Sequence, residues 1–261
     1  MNPPTLRGVF VTGTDTGVGK TVVASGLISA LGALGVRTVG FKPVAAGTHI
    51  VNGQCLQEDV FALSAASNVD VDDAEVCPIA LNEACAPHIA ARLEHLEIDR
   101  ARIVLAARAL SRKTNLIVAE GAGGLRVPLG NDWDSADLIA DLGMPVVLVV
   151  GMRLGCLNHA LLTAEALRAR GIAIAGWVAN RIDPAMPHAQ ENLATLDAWL
   201  GQRQGIVRLG DVPALEPPEP FNHAALAVFA KRIATYLDAR ALARILGLPV
   251  SSSPSLLTPL S

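Results

Sequence analysis

Apolar residues fall into two alternating rhythms along the chain. Short runs rich in β-branched residues, Val9–Thr12, Thr38–Lys42, Leu116–Glu120, Val146–Gly151 and Ile174–Asn180, alternate with longer stretches that carry apolar positions every three or four residues. Such alternation predicts a mostly parallel sheet with helices in its crossovers. Between the first two runs, Val22, Val23, Gly26, Leu27, Ala30, Leu31 and Leu34 keep helical spacing, and Gly35 stands where a glycine ends a helix. Helices are also predicted over Ala101–Leu110, Asn158–Arg170, His188–Leu200 and His223–Ala239. The run VVLVV from Val146 is apolar on both faces, as a central parallel strand covered on both sides must be. The expected fold is α/β with a doubly wound sheet.

Composition sets the scale of that fold. The 261 residues are 51% hydrophobic and 17% charged, which suits one substantial core and leaves no comfortable room for a second full domain. One domain is expected over residues 1–242, followed by a loosely held serine- and proline-rich tail over 243–261. The formal charge is −3 and the basic residues are scattered, which points away from nucleic acid or a membrane surface and toward small metabolites. The N-terminal residues lack a leader pattern and no apolar stretch reaches spanning length, so a cytoplasmic protein is expected. Cys55, Cys77, Cys85 and Cys156 show no C-x-x-C spacing and are expected as buried, reduced thiols.

The chemistry begins at FVTGTDTGVGKT, Phe10–Thr21. It closes like a phosphate-binding loop, G-x-x-x-x-G-K-[ST], but has its first glycine at Gly13 where the pattern wants one at Thr14. Such a loop needs backbone N–H groups at a helix start, a lysine beside phosphate oxygens and a hydroxyl for Mg²⁺. Gly13, Gly19, Lys20 and Thr21 supply these between a predicted strand and a predicted helix. Glu120 ends the strand NLIVAE before the turn GAGG, at the strand end that faces the ligand crevice in parallel sheets. Lys42 ends the second strand at the same edge. Asp59 suits either a helix cap or a magnesium ligand, and Asn180 either a nucleobase contact or a turn. Gly155 to Asn158 precede a helix, with Asn158 as its N-cap or as part of an anion site. His88 lacks a companion at metal-ligand spacing and reads as packing or a polar contact.

In order along the chain, GTDTGVGKT, KPVAAG, EGAGG, LGCLNHA and GWVAN closely resemble the dethiobiotin synthetases, over about Val9 to Pro213. The resemblance implies a P-loop NTPase-like three-layer sandwich. It also implies a magnesium-dependent reaction of ATP, CO₂ and 7,8-diaminopelargonate giving dethiobiotin, ADP and phosphate, in a homodimer with shared active sites. By matching positions, Gly13, Asp15, Gly17, Val18, Gly19, Lys20, Thr21, Asn180 and Pro213 would bind nucleotide, and Thr21, Asp59 and Glu120 the metal. Lys20, Lys42 and Thr16 would be catalytic, and Thr16, Lys42, Gly123, Leu154, Gly155 and Asn158 would meet the substrate, Asn158 across the subunit boundary. The chain departs from the pattern at Gly17, where many members have an acidic residue, and at Ala46, where they have a hydroxyl. A partition-type switch ATPase is the main rival, but it carries a signature lysine where this chain has Asp15. An amidotransferase would need a glutaminase domain, for which the remaining length is too short.

Overall fold

A computed structural model of the chain describes residues 6–51 and 54–249. The elements are, in order, β1 (Gly8–Gly13), α1 (Lys20–Ala33), β2 (Thr38–Phe41), β3 (Val44–Ala46), β4 (His49–Val51), β5 (Gln54–Leu56), α2 (Glu58–Ala66), α3 (Asp73–Val76), β6 (Ile79–Leu81), α4 (Pro87–Leu93), α5 (Arg100–Leu110) and β7 (Leu116–Glu120). There follow α6 (Ser135–Leu142), β8 (Val146–Gly151), α7 (Cys156–Ala169), β9 (Ile174–Asn180), α8 (Ala189–Leu196), β10 (Arg208–Val212), α9 (His223–Ala234) and α10 (Ala239–Ile245).

Six strands form one sheet in the order β10-β9-β8-β1-β7-β2, and every neighbouring pair is parallel. Alternate residues of each strand point to opposite faces. Val9 and Val11 of β1, Val118 of β7 and Val149 of β8 face α1, α2, α9 and α10. Phe10, Ile117 and Ala119 face α4, α5 and α6, while Leu148, Val150 and Trp177 face α7 and α8. The result is the expected three-layer α/β sandwich. In register, Val11 lies opposite Glu120, Gly13 opposite Val149 and Gly151 opposite Asn180. The carboxyl ends of β1, β7, β8 and β9 therefore share one edge, where the chain first runs from β1 out to β2 and later crosses from β7 to β8 on the other side of β1.

The structure corrects several expectations. The helix predicted over His223–Ala239 is two helices, because the Asp238 N–H donates to the Leu209 carbonyl and Leu237 bridges Gly210 of the edge strand β10. The expected domain end at 242 falls inside α10, whose Ala243 is fully buried, and Leu246 and Leu248 pack on the same core. Residues 250–261 of the expected tail lie outside the described residues. Cys77 and Cys156 are buried, but Cys85 is exposed; the side chain of Cys55 lies outside the description. Among the described residues no helix is long and apolar enough to cross a membrane.

Candidate active site

The loop after β1 has the shape its glycines dictate. A Cβ on Gly13 would stand 2.5 Å from Cγ2 of buried Val18, so close backbone approach calls for glycine at 13. Gly19 has φ +83 and caps α1; a Cβ there would lie 2.0 Å from Nδ2 of Asn180. The Asn180 amide itself donates to the Val18 carbonyl at 2.9 Å, and the Thr14 N–H donates to Val149 of β8 at 3.0 Å. Asn180 thus braces the phosphate loop in this structure. Lys20 opens α1 and is buried, with Nζ donating to the Asp15 carbonyl at 3.0 Å. Burial pushes its pKa down, partly opposed by the charge of Glu120.

Thr21, one residue on, joins a part-buried charge cluster. Its hydroxyl lies 2.7 Å from Oδ1 of Asp59 and 2.9 Å from Oε1 of Glu120. Lys42 Nζ donates to Oδ2 of Asp59 and Oε1 of Glu120, both at 2.7 Å. Asp59 reaches the cluster because Gln57, not Asp59, caps α2, its Oε1 accepting the Val60 N–H. The capping alternative for Asp59 is therefore excluded. Burial alone would lower the Lys42 pKa, but the Glu120 and Asp59 charges and hydrogen bonds raise it and hold the ammonium protonated. Burial pushes the Glu120 carboxyl up against the opposing pull of Lys42. For Asp59 burial is outweighed by Lys42, Thr21 and Gln57, and its pKa falls.

This cluster fits a magnesium ion. A hydroxyl has one hydrogen, so Thr21 can donate to only one of the two carboxylate oxygens near it. Glu120 Oε2 is buried and accepts no hydrogen bond. Hard oxygen donors, one of them orphaned, suit a divalent cation that keeps other positions for water and phosphate. Among the described residues no three His, Cys, Asp or Glu side chains group as a metal site.

A cavity of about 790 Å³ opens over the loop and this cluster. Its wall brings together Thr16, Gly17, Gly19, Lys20, Thr21, Lys42, Asp59, Glu120 and Gly123, as well as Ala46. Gln57, Cys85 and Arg126 also line it and were not anticipated. Leu154, Gly155 and Asn158 do not line it and are exposed, Leu154 by 94%. Gly155, with φ +95, is the N-cap of α7, so Asn158 is a helical residue and not a cap. Gly13, Asp15, Val18, Asn180 and Pro213 also lie off this wall, the first four in or against the phosphate loop. The Asp15 carboxylate is engaged by Arg153 at 2.5 Å and by the Thr16 N–H at 2.7 Å. No local pattern signals that pair, which spans 138 positions.

The AAA domain family pattern matches residues 7–220. The chain is 49% identical, over 219 residues, to the ATP-dependent dethiobiotin synthetase BioD of Aromatoleum aromaticum, covering 84% of this chain and 96% of that one. Among solved structures it is similar to the MinC:MinD cell division protein complex of Aquifex aeolicus, with TM-score 0.51 and 15% identity over 95% of this chain and 99% of that one. The cell division ATPase MinD of Pyrococcus furiosus is similar at TM-score 0.50 and 19% identity, over 93% and 98%. At such identities the likeness is one of fold.

Proposed function

Since the chain belongs to the ATP-dependent dethiobiotin synthetases, an AAA-domain family of P-loop architecture, we propose that it closes the cyclic urea of dethiobiotin from 7,8-diaminopelargonate, CO₂ and ATP. The observation that carries this reading is the cavity that joins a phosphate loop to two buried lysines and two carboxylates. Thr21, Asp59 and Glu120 would hold Mg²⁺, which when bound supplies positive charge to the phosphate oxygens.

A free alkyl amine is protonated at neutral pH and does not attack CO₂. The ammonium groups of Lys20 and Lys42 on the cavity wall disfavour its cationic form and stabilise the carbamate anion once formed. A carbamate oxygen then attacks the γ-phosphorus, ADP leaves, and a carbamic-phosphoric anhydride results. Lys20, at the start of α1, neutralises charge on the transferring group, aided by the backbone N–H groups of that helix end. The second amine attacks the carbonyl carbon and expels phosphate, closing the ring. No protein nucleophile is required. The exposure of Leu154, Gly155 and Asn158, away from the cavity of their own chain, supports a homodimer in which they serve the neighbouring site.

Phosphate release with ATP, Mg²⁺ and bicarbonate, measured with and without 7,8-diaminopelargonate, tests the reading. Release that depends on the diamine, with dethiobiotin as product, is expected. Release indifferent to the diamine would favour a switch ATPase.

A further inference from the structure

We propose that Arg153 is a positioning residue for the phosphate loop, acting through Asp15. Arg153 lies between β8 and α7, and its Nη2 stands 2.5 Å from Oδ2 of Asp15. The other carboxylate oxygen of Asp15 accepts the Thr16 N–H at 2.7 Å, and its carbonyl accepts Lys20 Nζ at 3.0 Å. One residue therefore orients both a backbone donor and the ammonium of the loop, and Arg153 holds that residue from a different strand end.

Asp15 is the one acidic residue between Gly13 and Thr21. An unpaired carboxylate there would oppose the approach of a polyphosphate, which already meets Asp59 and Glu120 deeper in the site. The Arg153 guanidinium cancels that charge and fixes the side chain in the orientation that serves the Thr16 N–H, on the same residue whose main-chain carbonyl accepts Lys20. Both partners are near half exposed, 43% and 45%, so the pair adds little to the stability of the fold. Its effect falls on the ligand, whose several negative charges make each nearby charge count. This inference rests on the phosphate-loop reading above.

The test uses the full chain as wild type, Arg153→Ala, Arg153→Lys and the double variant Arg153→Ala/Asp15→Asn. ATP affinity is read by calorimetry, KM for ATP and for the diamine by steady-state kinetics, and Tm by thermal melting. Arg153→Ala should weaken ATP binding about tenfold, the range of coupled charge pairs. It should leave the KM for the diamine and the Tm near wild type, and the defect should shrink as salt rises. Arg153→Lys should recover much of the affinity, and so should the double variant, which no longer has a carboxylate to neutralise. Wild-type ATP affinity in Arg153→Ala overturns the proposal. So does a loss that neither the lysine nor the double variant relieves, for then Arg153 does not act through Asp15. Wild-type protein that binds no ATP would instead remove the phosphate-loop reading itself.

Discussion

Lys20 and Lys42 carry the same charge in unequal company, and their substitutions should separate accordingly. Lys20 Nζ donates to a carbonyl, and burial already disfavours its charge, so an arriving phosphate is its best partner. Lys20→Ala should weaken ATP binding by about a hundredfold, the value of a lost charge-assisted contact, with Tm little changed. Calorimetry against a thermal melt checks both halves. Lys42 sits between Asp59 and Glu120 with 3% of its side chain exposed, so removing it leaves the buried Glu120 and the part-exposed Asp59 with no cation between them. Lys42→Met should cost about 3 kcal/mol, the lower range for breaking a buried pair. Mg²⁺ should stabilise that variant more than wild type, because the divalent ion takes over the abandoned carboxylates. Urea unfolding with and without Mg²⁺ reads the difference, and an equal response in both proteins would remove the carboxylate pair as the metal site.

At the scale of elements, α6 shows how a short helix is held by its ends. Asp134 caps it, accepting N–H groups of Ala136 and Asp137, while the Asp137 carboxylate accepts the Asp134 N–H and pairs with Arg170. The Asp134 N–H, then Arg170, hold the Asp137 carboxyl below its usual range. A depressed carboxyl contributes stability above its unfolded value, near 3.9, that is lost as pH falls through the folded value. Asp137→Asn should therefore cost about 1 kcal/mol at neutral pH, and the gap should close in acid; denaturant titrations at the two pH values measure it. α6 was not predicted from the sequence, because its eight residues are too few for periodicity to stand out, although Asp134 and Asp137 cap its start and Gly143 ends it. Strands β1, β2, β7, β8 and β9 were legible because parallel strands covered on both faces are unbroken apolar runs. β10 was not, since RLGDV at the sheet edge keeps Arg208 exposed and carries a glycine. For the site, Lys20 and Thr21 were marked by the phosphate-loop pattern and Glu120 and Lys42 by strand-end position, whereas Asp59 had two local readings that only the capping by Gln57 separates. Arg153 and Asp15 meet through the fold alone.

For the whole molecule, the division between cavity-lining and exposed residues bears on assembly. Thr16, Lys20 and Lys42 line the cavity, while Leu154, Gly155 and Asn158 lie outside it at the start of α7. In the proposed dimer each site takes Lys20 from one chain and Asn158 from the other, related by a two-fold axis. Two inactive proteins, Lys20→Ala and an Asn158 substitution severe enough to abolish turnover, should then complement when mixed under conditions that exchange subunits. Each mixed dimer holds one site damaged twice and one site with both residues intact. Random exchange of equal amounts makes half of the dimers mixed, so about a quarter of all sites should regain activity. A site completed within one chain predicts the opposite, because every site then carries one of the two lesions whatever its partner. Differently tagged chains and sequential affinity capture isolate the mixed dimers for assay. Their failure to turn over ATP with the diamine would assign Asn158 to the site of its own chain and overturn the shared site.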